Sequence, residues 1–176
     1  MLFWATGCKK PTPAAEAPAA KQSGQKEGGE SYNPHMADCN GFTASDAAAV
    51  LGLPAAKVTV EMEQLRPGNW RCMFESGDLG KTLSFNVSVA PSAGDAARDM
   101  AGYRSNLETT GGVSPYKENL PNGAYADISG VGDDAVWTDM DLSLQARRGN
   151  VLVHVTMPKD KSLQTKAAEK FLSTLK

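Results

Sequence analysis

The sequence predicts an α+β domain built on an antiparallel sheet of about six strands with helices on one face. Three observations carry that expectation. Several runs alternate apolar and polar residues with a period of two, short turns rich in Gly, Asn and Pro join them into hairpins, and stretches with helical spacing precede, divide and follow them. Hairpin-joined strands pair antiparallel, and a strand with a polar outer face expects solvent there and helices behind it. The order of elements, helix and three strands given twice and then a last helix, suggests two similar halves, although no repeat is visible in the residues themselves.

The first helix is signalled by Thr43 and Ser45, which offer cap hydroxyls ahead of Asp46-Ala47-Ala48-Ala49-Val50-Leu51, with Gly52 and Pro54 as stop signals. Val58, Val60 and Met62 then alternate with Thr59, Glu61 and Glu63. After the turn Pro67-Gly68-Asn69, Trp70, Cys72 and Phe74 alternate with Arg71, Met73 and Glu75, which makes a hairpin. The cleanest alternation follows: Leu83, Phe85, Val87 and Val89 on one face, Ser84, Asn86, Ser88 and Ala90 on the other. Over residues 92–110 the spacing turns helical, with Ala93, Ala96, Ala97, Met100, Ala101, Tyr103, Arg104 and Leu107 in a stripe and Gly111 and Gly112 as its end.

A loop rich in Pro, Asn and Gly spans residues 114–123. Strands are then expected over 135–137, 142–147 and 151–157, joined by Thr138-Asp139-Met140-Asp141 and by Arg148-Gly149-Asn150, a short hairpin loop. A final helix over residues 159–175 spaces Leu163, Ala167, Phe171 and Leu175 by four, with Ala168 and Leu172 beside them and a lysine-rich opposite face.

Residues 33–176 thus read as one domain of ordinary length. What precedes it has another composition. Met1-Leu2-Phe3-Trp4-Ala5-Thr6-Gly7 leads into Cys8, and Ala5-Thr6-Gly7-Cys8 resembles the lipobox of bacterial lipoprotein signals, a run of small residues before an obligatory cysteine. Ala5 stands where Leu is usual, and the basic start and longer apolar stretch of a whole signal are missing. The run is too short to cross a hydrocarbon core, which needs about 20 apolar residues, so a shortened or displaced start is expected. The resemblance implies that residues 1–8 are a signal remnant, that Cys8 becomes an acylated N-terminus, and that the protein is anchored in a bacterial envelope, facing the periplasm or the exterior. Lys9 in place of Asp implies the outer membrane if the envelope has two. The alternative is an ordinary terminus with one stray thiol.

Residues 9–31 carry no aromatic and no branched apolar side chain, so nothing there offsets the entropy of ordering. A disordered tether is expected over residues 9–32, with a reach of roughly 25 to 30 Å. Its lysines are balanced by Glu16, Glu27 and Glu30, and the whole chain has a net charge of −2, which excludes the basic field of a nucleic-acid binder.

Cys39 and Cys72 remain once Cys8 is set apart. They lack CxxC or zinc-site spacing. In an oxidising compartment a bridge tying the start of the first helix to a strand is the favoured state, and by loop closure it contributes roughly 3 to 4 kcal/mol. Two buried free thiols are the alternative, and a redox pair is less favoured because nothing nearby would lower a thiol pKa.

The order Cys39, Phe42, Thr43, Ala47 to Gly52, then Cys72 between Trp70 and Phe74, then Val131-Gly132-Asp133-Asp134-Ala135 ahead of a strand, resembles small bacterial envelope lipoproteins of unknown function of the DUF3558 type. That resemblance covers most of the folded region. It implies a tethered α+β domain and brings no catalytic residue, cofactor or metal.

Candidate chemistry is sparse. Asp133, Asp134, Asp139 and Asp141 are acidic enough for calcium but lack the EF-hand spacing, and read first as an Asp-rich turn capping local N–H groups. His154 shares a strand face with Leu152 and Thr156, as a solvent-edge residue or one wall of a pocket. His35 lies in the lead-in. Gly130-Val131-Gly132 is followed by Ala135 and a strand, so it is no dinucleotide loop. The segment 112–129 carries Tyr116 and Tyr125 and is a candidate binding loop or a plain connection. Trp70, Trp137 and Tyr103 are core or cross-strand aromatics before they are ligand contacts.

Two functions survive. One is a non-enzymatic module, lipid-anchored, that binds an envelope protein, a glycan or a small ligand through the sheet face or the 112–129 loop. The other is an envelope hydrolase or other enzyme whose site forms only in three dimensions around His154 and the acidic cluster. What stands next to His154 separates them.

Overall fold

The strands β1 (Val58–Arg66), β2 (Asn69–Ser76), β3 (Thr82–Val89), β4 (Ala126–Asp127), β5 (Asp134–Thr138), β6 (Ser143–Arg148) and β7 (Val151–Met157) form one antiparallel sheet in the spatial order β1-β2-β3-β7-β6-β5-β4. Three helices complete an α+β fold: α1 (Ala44–Leu51), α2 (Ala93–Thr110) and the C-terminal α3 (Lys161–Ser173). This computed structural model describes residues 29–77, 81–110 and 125–176. The strand beyond the six expected is the two-residue β4, too short to leave an alternation in the sequence.

Local chemistry explains where the elements begin. Thr43 Oγ1 accepts from the Asp46 N–H while the Asp46 carboxylate accepts from the Thr43 N–H, a reciprocal capping box, and Gly52 ends α1 at a left-handed φ of 66°. Ser92 caps α2 by accepting from the Asp95 N–H at 3.1 Å, and Asp160 caps α3 by accepting from the Leu163 N–H at 2.9 Å.

Register fixes which side chains share a face. β3 pairs with β7 through Phe85↔Val155 and Val87↔Val153, and with β2 through Cys72↔Phe85 and Phe74↔Leu83. These apolar residues form one face. α1 supplies Ala47 and Ala48 to it and α3 supplies Ala167, Phe171 and Leu172. Phe42, Phe74, Phe85 and Phe171 meet there, with ring centroids of 5.0 Å between Phe85 and Phe171 and 5.1 Å between Phe42 and Phe74.

The opposite face is not left to solvent throughout. Ala96 and Met100 of α2 pack on Ala90, Val136 and Leu152, and Arg104 grips both oxygens of Asp134 at the start of β5. Helices therefore stand on both sides, which corrects the expectation of one. The physical reason is local: the polar outer face of β3 stops at β3, and Leu152 on β7 and Val136 on β5 supply an apolar patch for α2 to cover. The expected duplication fails at the same point. The two meanders meet at β3 and β7 as equivalent halves would, but a twofold axis through that pair keeps each face on its own side, whereas α1 and α2 lie on opposite faces.

The lead-in to the domain is fastened at the sheet centre. Asn150, in the β6–β7 turn, accepts from the Tyr32 N–H at 2.6 Å and donates to the Tyr32 and Ala90 carbonyls at 3.1 and 3.2 Å. Gly149 beside it is at φ 56°, and a side chain there would run into the Glu30 carbonyl and the Tyr32 ring. Cys39 and Cys72 form the expected disulfide, both fully buried, with Cα atoms 6.1 Å apart.

The bridge closes a loop of sequence separation 33, so the double variant Cys39→Ala/Cys72→Ala is expected to lose about 3 to 4 kcal/mol in urea titration. Reduction of the wild type should give a similar loss. A loss below about 1 kcal/mol would show that the folded lead-in constrains the chain without the bridge.

Candidate functional site

α2 lies over β5, β6 and β7. Among the described residues, no helix lies over β1, β2 and β3 on that face, and a groove lined by strand residues opens there beside the half that α2 covers. It has a volume of about 340 Å³ and is lined by Leu65, Arg66, Asn69, Asn86, Ser88, Gln145, Leu152 and His154. Pairing explains the set. Asn86 stands opposite His154, which stands opposite Gln145, while Asn69, Ser88 and Leu152 form the neighbouring row. Alternation puts Asn69, Asn86, Ser88, Gln145, Leu152 and His154 on the face away from the phenylalanine core, Arg66 stands opposite Asn69, and the register shift between Gln64 and Arg66 lets Leu65 join the same lining.

His154 is the titratable wall of the groove. Its Nε2 lies 2.9 Å from Ser143 Oγ, and Ser143 Oγ donates to Asp141 Oδ1 at 2.6 Å. With that proton committed, Nε2 must carry its own and donate, which leaves Nδ1 as the acceptor nitrogen. The Tyr103 ring of α2 meets the imidazole edge-on, with centroids 6.2 Å apart. Burial lowers the His154 pKa below 6.5, the Asp141 carboxylate raises it and Lys159 lowers it again. Burial likewise raises the Tyr103 pKa. At neutral pH the cluster therefore holds a neutral imidazole beside a neutral phenol.

Histidine, serine and aspartate within reach of each other resemble a hydrolytic triad in composition but not in order. In a triad the imidazole stands between carboxylate and hydroxyl, so that it can take the hydroxyl proton. Here the hydroxyl stands in the middle. Ser143 donates its proton to Asp141 at 2.6 Å and accepts from His154 Nε2, and it is fully buried. Its proton goes to the carboxylate and not to the imidazole that would have to take it, and Ser143 does not line the groove.

The remaining sequence candidates scatter. Asp133 accepts from the Gly149 N–H at 2.7 Å and pairs with Arg147, whereas Asp134 serves Arg104. Asp139 and Asp141 lie beyond the other end of β5, and Asp139 is buried, which raises its pKa. The four aspartates do not converge, and among the described residues no group of three or more His, Cys, Asp or Glu is placed to hold a metal. Asp133 does cap a backbone N–H, as the turn reading expects. Tyr125 donates to Glu108 at 3.0 Å and packs beside α2, outside the groove lining. His35 bonds Asp38 at the exposed lead-in. Trp70 and Trp137 pack against the main core, with Lys161 over the Trp137 ring. Cys8, the tether before residue 29, Tyr116 and most of the 112–129 loop lie outside the described residues.

Sequence reasoning named His154 as one wall of a pocket and missed the other seven lining residues. A signal existed. The outer positions of β3 are Ser84, Asn86 and Ser88, neutral amides and hydroxyls rather than the lysines and glutamates of an ordinary wet face. No family model, no curated protein and no solved structure matches the chain.

The His154 shift has a stability consequence. Because its folded pKa lies below the ordinary imidazole value, the unfolded chain binds a proton that the folded one refuses as pH falls below 6.5. Stability present above that value is lost progressively towards the lower folded pKa. Urea midpoints of His154→Gln should therefore fall less between pH 7 and pH 5 than those of the wild type. Parallel pH profiles would show that the imidazole is not the group that titrates.

Proposed function

We propose that this protein is a lipid-anchored, non-enzymatic binding module of a bacterial cell envelope, and that its ligand sits in the groove on the sheet face beside α2. The groove is the observation that carries the binding reading. It joins two apolar walls, Leu65 and Leu152, to a small set of hydrogen-bonding side chains, the usual make-up of a ligand site, and its volume is at the lower end of such sites. The bonding of Ser143 supports a binding role over a hydrolytic one, since the buried hydroxyl nearest the imidazole gives its proton to Asp141 rather than to His154. The anchoring part of the proposal rests on the sequence alone: the lipobox-like Ala5-Thr6-Gly7-Cys8, the tether-like composition behind it, and the envelope-lipoprotein resemblance of the domain.

Small-molecule extract of the host's envelope fraction should raise the melting temperature of the protein, because a ligand at about 100 times its Kd adds about 2.7 kcal/mol to folding stability. Ser88→Trp, which fills the groove from a half-buried strand position, should remove that rise while melting near the wild type in buffer. An equal rise in Ser88→Trp would place binding elsewhere, and no rise in either would overturn the groove as the ligand site.

The anchor has its own test. Intact mass measured on protein from the host membrane should show loss of residues 1–7 and acyl mass on Cys8. An unmodified segment 1–8 in the host would sink that part and leave the groove reading untouched.

A further inference from the structure

The groove's charge and its unpaired atoms point to a class of ligand. We infer that it binds a small organic acid, a carboxylate carrying an N–H or O–H donor close to the acid group; the inference rests on the groove being the ligand site.

Arg66 supplies the first half of the argument. Arg71, Arg98, Arg104 and Arg147 each pair with a carboxylate, and Arg148 donates to the Leu172 carbonyl and lies over the Tyr32 ring. Arg66 is the one arginine that has no such partner among the described residues, and it lines the groove. No aspartate or glutamate lines the groove with it. A site with one unpaired guanidinium and no acid is complementary to a single negative charge, and the planar fork of arginine matches the two oxygens of a carboxylate. A phosphate dianion would leave charge uncompensated, because the lining offers no second permanent cation. A neutral ligand would leave the guanidinium without a counter-charge.

Asn86 supplies the second half. Its Oδ1 is buried and accepts no hydrogen bond from the protein. A buried acceptor left unpaired is costly, and a donor on the ligand removes that cost. Its neighbours do not serve it: Ser88 donates to Asn69 at 2.5 Å instead. The Gln145 amide and His154 Nδ1 complete the polar wall, and Leu65 and Leu152 leave room for a short apolar segment. Acid, adjacent donor and short aliphatic part are the features of a hydroxy acid or an N-acylated amino acid.

N-acetylglycine is a probe with all three features. N-acetylglycinamide keeps its shape without the charge, and N-acetylsarcosine keeps the charge without the N–H. Titrated into the isotope-labelled full chain, N-acetylglycine should move the side-chain amide resonances of Asn86 and Gln145. The other two compounds should bind more weakly, and Arg66→Gln, at an exposed strand end, should weaken N-acetylglycine by roughly ten- to a hundredfold. Equal affinity for the amide, or an unaffected Arg66→Gln, overturns the acid. Resonances moved by neutral N-acetylglucosamine but by none of the acids overturn it too, while leaving the groove a binding site. Groove resonances that none of these compounds moves overturn the inference and count against the groove itself.

Discussion

Four phenylalanines drawn from four separate parts of the chain hold one face of the sheet together, and the remaining elements take their positions from that contact. Phe42 arrives with the lead-in, Phe74 and Phe85 stand on neighbouring strands, and Phe171 comes from the last helix. Each pair adds about 0.5 to 1.5 kcal/mol beyond the area it buries. Because β2 and β3 commit their apolar residues to this face, strict alternation commits Asn69, Asn86 and Ser88 to the other. The groove is in that sense a by-product of the aromatic core: the residues that line it are those the core leaves facing away.

Much of this was legible in the sequence. Period-two runs located β2, β3 and β7 to within a residue or two because one side of each is largely dry, and Thr43 was legible as the cap that begins α1, whereas Ser92 and Asp160 were not read as the caps of α2 and α3 that they are. The α+β class followed from those elements. What failed was the assignment of a helix to a face. Alternation says that two sides exist but not which helix covers which, and Leu152 was read as a neighbour of His154 rather than as the floor under α2.

The groove itself was less legible, for a different reason. Its lining comes from five strands, and seven of its eight residues carry no chemistry that singles them out in a linear reading. Asn86 matters because its carbonyl oxygen is buried without a donor, and Arg66 because every other arginine is engaged. Both are statements about neighbours, and neighbours are what a sequence withholds. His154 was visible as a residue, but Ser143 and Asp141 acquire meaning only once β6 places the hydroxyl between the two titratable groups.

The fastening of the lead-in determines how the domain would carry a load. Tension applied ahead of residue 29 meets the Tyr32–Asn150 hydrogen bonds first, and these act on the β6–β7 turn beside the middle of the sheet. If they yield, the chain can peel only as far as Cys39, where the covalent bond to Cys72 passes the force to β2. The remaining strands, the helices and the groove lie behind that stop. A domain pulled from its N-terminus is thus arrested within about ten residues of its first contact, and slack is released as a short extension rather than as unfolding.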